Sequence, residues 1–339
     1  MYRAPGKRTC KAAFALLFVA ACGGLDTAVE APVEPPAAAL VERTRNFGAM
    51  GTDVSIAAIG TDAAALDEAL IAAEAELRRV EDLMTSWRDS PLTRMNAAAD
   101  DGPQKIDPEL ARLIDQGLAV GELTGGAFDI TFASVGKLWD FKAEPPILPS
   151  QAEIKTALEA VGYQKVKLDL KASTIDFPRG TQIGLGGIAK GYGVDRAMAV
   201  LLERGIENGI VNAGGDMKVL GTKFGKPWRI AVKHPRERDQ VLAMVPLSNT
   251  CMVTSGDYER FFEYNGKRYH HILDPRTGYP ATGGMSVTVI APDAAFADAL
   301  ATGLSVLGHE KGLPIVEGLP RVECLIVDME GGVTKSSGL

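Results

Sequence analysis

The residues best suited to chemistry fall in a few short stretches of a 339-residue chain. Gly184-Leu-Gly-Gly-Ile-Ala-Lys-Gly-Tyr-Gly193 sets glycines and a lysine ahead of a helical pattern. Glycines let backbone N–H groups approach an anion, a helix N-terminus adds partial positive charge, and Lys190 would add a full one. This is not a Walker A loop: the glycine spacing differs, and Tyr192 stands where a magnesium-binding Ser or Thr belongs. Nor is it a clean dinucleotide fingerprint, and such a helix start is as often purely structural. Asn212-Ala-Gly-Gly-Asp216 is either a tight turn or a place where backbone meets ligand. Gly125-Gly-Ala-Phe-Asp129-Ile-Thr131 joins flexible backbone to an acid and an aromatic ring.

Asp298 and Thr302 stand four apart in a predicted helix, so they share a face. Such an oxygen-only pair suits Mg²⁺, which takes a few hard protein ligands plus water and phosphate. The competing reading is a solvated Asp and a Thr bonded back to its own helix. His270 and His271 are adjacent in a predicted strand and point to opposite faces, so at most one serves any site. They precede the turn Asp274-Pro-Arg-Thr-Gly278.

The elements that must position these groups alternate irregularly. Apolar residues at three- and four-residue steps predict a helix over 64–84. Asp107-Pro108 opens a second helix, and the capping box Ser150–Glu153 a third that stops at Gly162. A fourth spans 188–204 and ends at Gly205; Asp293 caps a fifth that runs through Leu307 to Gly308. β-Rich runs cover 52–59, 166–170, 210–211, 229–233, 269–273, 286–291 and 323–329, with a hairpin through Asn265-Gly266. This order fits α+β better than a doubly wound parallel sheet.

Arg3, Lys7, Arg8 and Lys11 precede an apolar run over 12–21, the layout of a secretory signal peptide. About ten residues is too short for a hydrocarbon core that needs roughly 20. The run ends Val19-Ala-Ala-Cys22, similar to a bacterial lipobox, so the expectation is a leader over 1–21 and a lipidated Cys22. The expected address is an exported protein, lipid-anchored to a bacterial membrane and facing the periplasm. Ala, Pro, Val and Glu dominate 22–44, which reads as a flexible tether, leaving 45–339 as the folded domain. A net charge of −7 with dispersed basic residues shows no nucleic-acid footprint. Cys251 and Cys324 lie in apolar runs, either bonded to each other or buried as free thiols.

Taken in order, these segments resemble the ApbE family of FAD:protein FMN transferases. The carriers are Phe47-Gly-Ala-Met-Gly-Thr52, Glu81-Asp-Leu-Met-Thr-Ser-Trp-Arg-Asp-Ser90, Gly125–Thr131 with Leu138-Trp139, and Leu185–Tyr192 with Asp195. Asn212–Asp216, Thr254-Ser-Gly-Asp-Tyr258, His271–Gly278 and Ala297-Asp-Ala-Leu-Ala-Thr302 follow. The resemblance implies a single large ApbE-like (T-fold-like) α+β domain of two packed lobes with mixed or antiparallel sheets. It implies transfer of FMN from FAD to a Ser or Thr hydroxyl of an acceptor flavoprotein subunit, with release of AMP. By similarity Gly187, Asp298 and Thr302 would hold Mg²⁺, and His271 would be the base, with Asp298 also catalytic. Met50, Trp87, Ala127, Phe128, Asp129, Gly184 and Lys190 would contact FAD. Ser90-Pro91 replaces a common Ser-Glu, and Gly184 an Asp found in many relatives, which puts individual FAD contacts in question. An FAD pyrophosphatase giving FMN and AMP, and a non-catalytic FAD-binding lipoprotein, remain the alternatives.

Overall fold

The computed structural model describes residues 39–99, 102–237 and 239–339. The expected leader, the lipidated Cys22 and most of the expected tether lie outside the described residues.

Eight strands form one sheet: β1 (Val41–Ala49), β2 (Thr52–Gly60), β3 (Asn208–Ala213), β4 (Asp216–Leu220), β5 (Thr250–Gly256), β6 (Ser286–Ala291), β7 (Glu323–Val327) and β8 (Val333–Lys335). They lie side by side in chain order, and every neighbouring pair is antiparallel. The helices are α1 (Ala63–Met84), α2 (Pro91–Ala97), α3 (Pro108–Leu123), α4 (Ala133–Gly136), α5 (Gln151–Leu158), α6 (Ala189–Glu203) and α7 (Ala294–Glu317). The expected α+β class holds, and the sheets among the described residues are antiparallel. β1 takes in Val41–Thr44, part of the stretch expected to be tether, and pairs along its whole length with β2. Arg43, inside the stretch read as tether, bonds Asp67 on α1.

Alternate residues on the strands feed two cores. Cys251, Val253, Val287, Val289, Cys324 and Ile326 face α1, α6 and α7. Met252, Leu325 and Val327 face the opposite side, covered by a hairpin of Trp228–Lys233 and Val241–Leu247. Burial on both faces explains why β6 and β7 read as continuous apolar runs. Cys251 pairs with Ala291 on β6, and Cys324 pairs with Val289 on the other edge of that strand. Two strand spacings, about 10 Å, exceed the reach of a disulfide, and both thiols are free and buried.

A third core joins α4 and α5 to the hairpin Phe261–Tyr264/Lys267–His270. Trp139 stacks on Phe141 and Tyr269 there and donates its Nε1–H to Gly278 O at 2.9 Å. That bond pins the turn following the histidines. The strand predicted over 269–273 ends at His270, because after His271, whose N–H still donates to Arg260 O, the backbone bonds within the turn, with Ala281 N donating to Ile272 O.

The central helix, α7, is rich in small buried residues: Ala294, Ala295, Ala297, Ala299, Ala301 and Gly303. Small side chains on every face let it lie between the sheet and α3 and α6. Its first segment ends at Gly308, where φ is 71°. The N-termini of α6 and α7 cap each other. Asp195 of α6 accepts from Ala294 N (2.8 Å) and Ala295 N (3.0 Å). Asp298 of α7 accepts from Gly191 N at 3.1 Å, supplying the cap that Ile188 cannot.

The close approach demands glycine at 191: a Cβ there would sit 2.1 Å from Ala294 O and 2.5 Å from its carbonyl carbon. Both are backbone atoms and cannot swing aside. Gly191→Ala is therefore expected to cost about 1–3 kcal/mol or more by overpacking, read as a lowered urea midpoint. Gly186→Ala, with open space around its Cβ, is the control and should unfold within about 0.5 kcal/mol of the parent.

Candidate active site

The glycine-rich loop, α7 and β4 meet at one point. Asp298 is 3 % exposed; its Oδ2 takes the Gly191 N–H, and its Oδ1 lies 3.8 Å from Lys190 Nζ. Lys190 donates a close, charge-assisted bond to Asp216 Oδ2. Asp216 is fully buried at the start of β4, and its Oδ1 has no hydrogen-bond partner. One turn along α7 from Asp298, Thr302 Oγ1 is 3.5 Å from Ser255 Oγ on β5. Gly187 abuts Thr302: a Cβ there would come 3.2 Å from Thr302 Oγ1 and 3.2 Å from the Phe128 ring. Gly187, Lys190, Asp298 and Thr302 are thus brought together.

Burial works against the Lys190 charge, but Asp216 and Asp298 outweigh it and hold its pKa above the ordinary lysine value. Burial, then the neighbouring Asp298, pushes the Asp216 carboxyl well above the usual carboxylate range, with Lys190 opposing. The lysine therefore keeps its proton, and the strained partner is Asp216.

The remaining positions build walls. Met50 and Gly51 form the two-residue turn between β1 and β2, with φ of 54° and 71°, the signs a type I′ turn needs. Met50 is buried with its sulfur against Gly193. Trp87 is 62 % exposed and lies, with Arg260, against Gly51. Ala127 packs against Ile272, the neighbour of His271, and Phe128 fills the space between Gly187 and Gly303.

The carboxylate of Asp129 is occupied structurally. Oδ1 accepts from Thr131 N (2.8 Å) and Thr131 Oγ1 (2.6 Å), and Oδ2 from Tyr163 N (2.8 Å). Gly184 N donates to Ile130 O at 2.7 Å, and a Cβ at 184 would fall 2.8 Å from Ala133 Cβ. Glycine there matches the Phe132–Ala133 packing of this chain, and its N–H is not free for a ligand. The Ser90-Pro91 departure also has a local cause. Ser90 is the N-cap of α2 in a capping box with Thr93, and Pro91 takes the first helical position.

Of the two histidines, His270 is buried with Nε2 on Ala281 O (2.9 Å). Both leave a buried Nδ1 without a protein partner; His271 is the less buried residue, and its backbone N–H donates to Arg260 O at 3.0 Å. Burial first, then the Arg260 charge, lowers the His271 pKa from 6.5 to about 4, and Lys190 adds to the effect. The fold therefore makes this histidine a weaker base than a free imidazole. Its imidazole is neutral throughout the neutral range, and an anion beside Arg260 would raise its basicity. Arg260, Ser255 and the role of Asp216 escaped sequence reasoning. The one available signal was an acid directly after Gly214-Gly215 at the start of an apolar strand.

A depressed histidine pKa makes stability present above 6.5 and lost as pH falls through about 4. At about 1.4 kcal/mol per unit, His271 accounts for on the order of 3 kcal/mol lost over that window. Urea midpoints at pH 7 and pH 4 should fall less for His271→Gln than for the parent. Equal falls would show that the imidazole is not buried neutral.

The fold and site define an antiparallel α+β protein with a lysine and an acid pair at a helix junction, beside a partly buried, neutral histidine. A profile of the ApbE family matches residues 50–326, and the chain belongs to that family. The FAD:protein FMN transferase of Treponema pallidum is 34 % identical over 281 residues, 78 % of each chain. That of Haemophilus influenzae is 36 % identical over 276 residues, 78 % of this chain and 80 % of that protein. Among solved structures, the ApbE protein of Thermotoga maritima superposes with a TM-score of 0.81 at 38 % identity, covering 88 % of this chain and 98 % of that one. The flavin transferase ApbE of Vibrio cholerae gives 0.78 at 29 % identity, with the same coverage.

Proposed function

We propose that this chain transfers FMN from FAD to a Ser or Thr hydroxyl of an acceptor protein, releasing AMP, with Mg²⁺ bound at the junction of α6 and α7. The activity is the one for which its relatives are named. The observation that carries the reading here is the meeting of Gly187, Lys190, Asp298 and Thr302 at one point.

The donor set fits a hard cation. A carboxylate oxygen of Asp298, the Thr302 hydroxyl and the backbone oxygen of Gly187 are all oxygen ligands. They lie beside a buried carboxyl, Asp216, one of whose oxygens no protein group satisfies. When bound, Mg²⁺ supplies charge neutralisation at the pyrophosphate. Lys190 would bind the phosphate oxygens. Trp87 offers an exposed ring face to a flat ligand group, while Met50, Ala127, Phe128 and Gly184 shape the wall. Asp129 holds its loop in place rather than meeting FAD with a free carboxylate. His271, neutral and unpartnered at Nδ1, takes the proton of the acceptor hydroxyl as that oxygen attacks phosphorus, and AMP leaves.

Lipidation at Cys22 would hold the domain beside the membrane in the exported compartment. The tether would raise its effective concentration near flavoprotein subunits of membrane redox complexes.

The test is to incubate the purified protein with FAD, Mg²⁺ and a flavin-acceptor domain, then follow in-gel flavin fluorescence and AMP. Labelled acceptor with stoichiometric AMP is expected; AMP without label would instead mean hydrolysis. Asp298→Ala should lower turnover by about 10²-fold or more, of the size seen when a group stabilising developing charge is removed. His271→Ala should leave FAD affinity within about twofold and slow transfer by about 10²–10⁴-fold. An unchanged rate in His271→Ala would remove it as the base.

A further inference from the structure

Two buried carboxyl groups, Asp216 and Asp298, face a single ammonium, that of Lys190. The side chains of both acids are almost wholly buried, while Lys190 keeps 28 % of its own surface open. The ammonium is bonded to Asp216 and stands 3.8 Å from the Asp298 oxygen that does not cap α6. That oxygen is the one left for a metal. A cation arriving there meets a like charge already at close range, in a site where low dielectric strengthens the repulsion.

We propose that Lys190 is the built-in counter-cation of Asp298, that it opposes divalent-cation binding in the ligand-free protein, and that Asp216 is the positioning residue that keeps it from closing fully onto Asp298. A diphosphate-bearing ligand removes the opposition, because its anionic oxygens take up the ammonium charge. Cation and diphosphate then bind with positive coupling, and by linkage each tightens the other equally. The free protein thereby avoids holding a tightly bound cation against an unneutralised lysine. This inference rests on the metal site proposed above.

The geometry makes two substitutions act in opposite directions, which damage to a shared structural cluster would not. Lys190→Met removes the competing charge while keeping an unbranched chain. Asp216→Asn keeps the shape but releases the ammonium toward Asp298. Both remain beside the Asp298 cap on Gly191, so thermal unfolding should confirm that the variants are folded.

The experiment is titration of the purified full-length protein with Mn²⁺ alone, followed by its EPR signal, and again with saturating ADP as the diphosphate probe. For the parent, ADP should tighten Mn²⁺ binding about tenfold beyond what ADP itself binds in a protein-free control. Lys190→Met should bind Mn²⁺ alone about tenfold more tightly than the parent and lose most of the ADP effect. Asp216→Asn should bind it more weakly. Weaker or unchanged Mn²⁺ binding in Lys190→Met overturns the proposal. Asp298→Ala separates the two levels: if it binds Mn²⁺ like the parent, the metal site itself is wrong and the proposal falls with it. If Asp298→Ala abolishes binding and Lys190→Met does not tighten it, the metal site stands and the counter-cation role is overturned.

Discussion

Everything at the centre of this molecule depends on burying the Asp298 carboxylate near the start of a helix whose first segment is otherwise almost wholly apolar. A buried charge is tolerated only when paired and hydrogen-bonded, and removing one partner of such a pair typically costs about 3–5 kcal/mol. The fold answers that demand with the N–H of Gly191 in the first turn of α6, which has no partner within its own helix, and with the Lys190 ammonium one residue earlier. Because Asp195 caps α7 in return, the two helix starts are locked at a fixed separation. The glycine at 191 follows from that contact, as does the run of alanines along α7.

The same arrangement that solves a folding problem creates a chemical one. Neutralisation of Asp298 is incomplete: one oxygen caps a helix, while the other is shared at 3.8 Å with a lysine already bonded to Asp216. Two acids thus share one ammonium, and one oxygen of Asp216 is left without a protein partner. Around it the aromatic core of Trp139, Phe262 and Tyr269 fixes the turn after His271, so the imidazole is held by packing rather than by a carboxylate. Its low basicity is the physical consequence of burial beside Arg260.

Much of this was legible in the sequence because the signals were local. Asp107-Pro108, the Ser150–Glu153 box and the Asp293 cap each mark a helix start through short-range bonding, and all three cap their helices in the structure. The four-residue step from Asp298 to Thr302 follows from helix geometry alone. What stayed hidden depends on tertiary contact. The edge strand β1 carries alternating exposed residues in a segment of tether-like composition. The ammonium of Lys190 finds Asp216, 26 residues away, beyond the rest of α6 and β3. Asp129 resembles a ligand-binding acid by position, yet its oxygens are taken by Thr131 and Tyr163, the latter 34 residues on. At Gly184 the sequence suggests a lost polar contact, whereas Phe132 and Ala133 occupy the space a side chain would need.

The central claim is that Asp298, Thr302 and the Gly187 carbonyl together hold a divalent cation. Anomalous diffraction from crystals of the protein soaked in Mn²⁺ together with ADP, whose diphosphate takes up the Lys190 charge, tests it most directly. The account predicts a peak between those three oxygens, at the roughly 2.0–2.2 Å ligand distances of a small hard cation. A peak elsewhere, or none at this junction in crystals that bind Mn²⁺ at other sites, would contradict it.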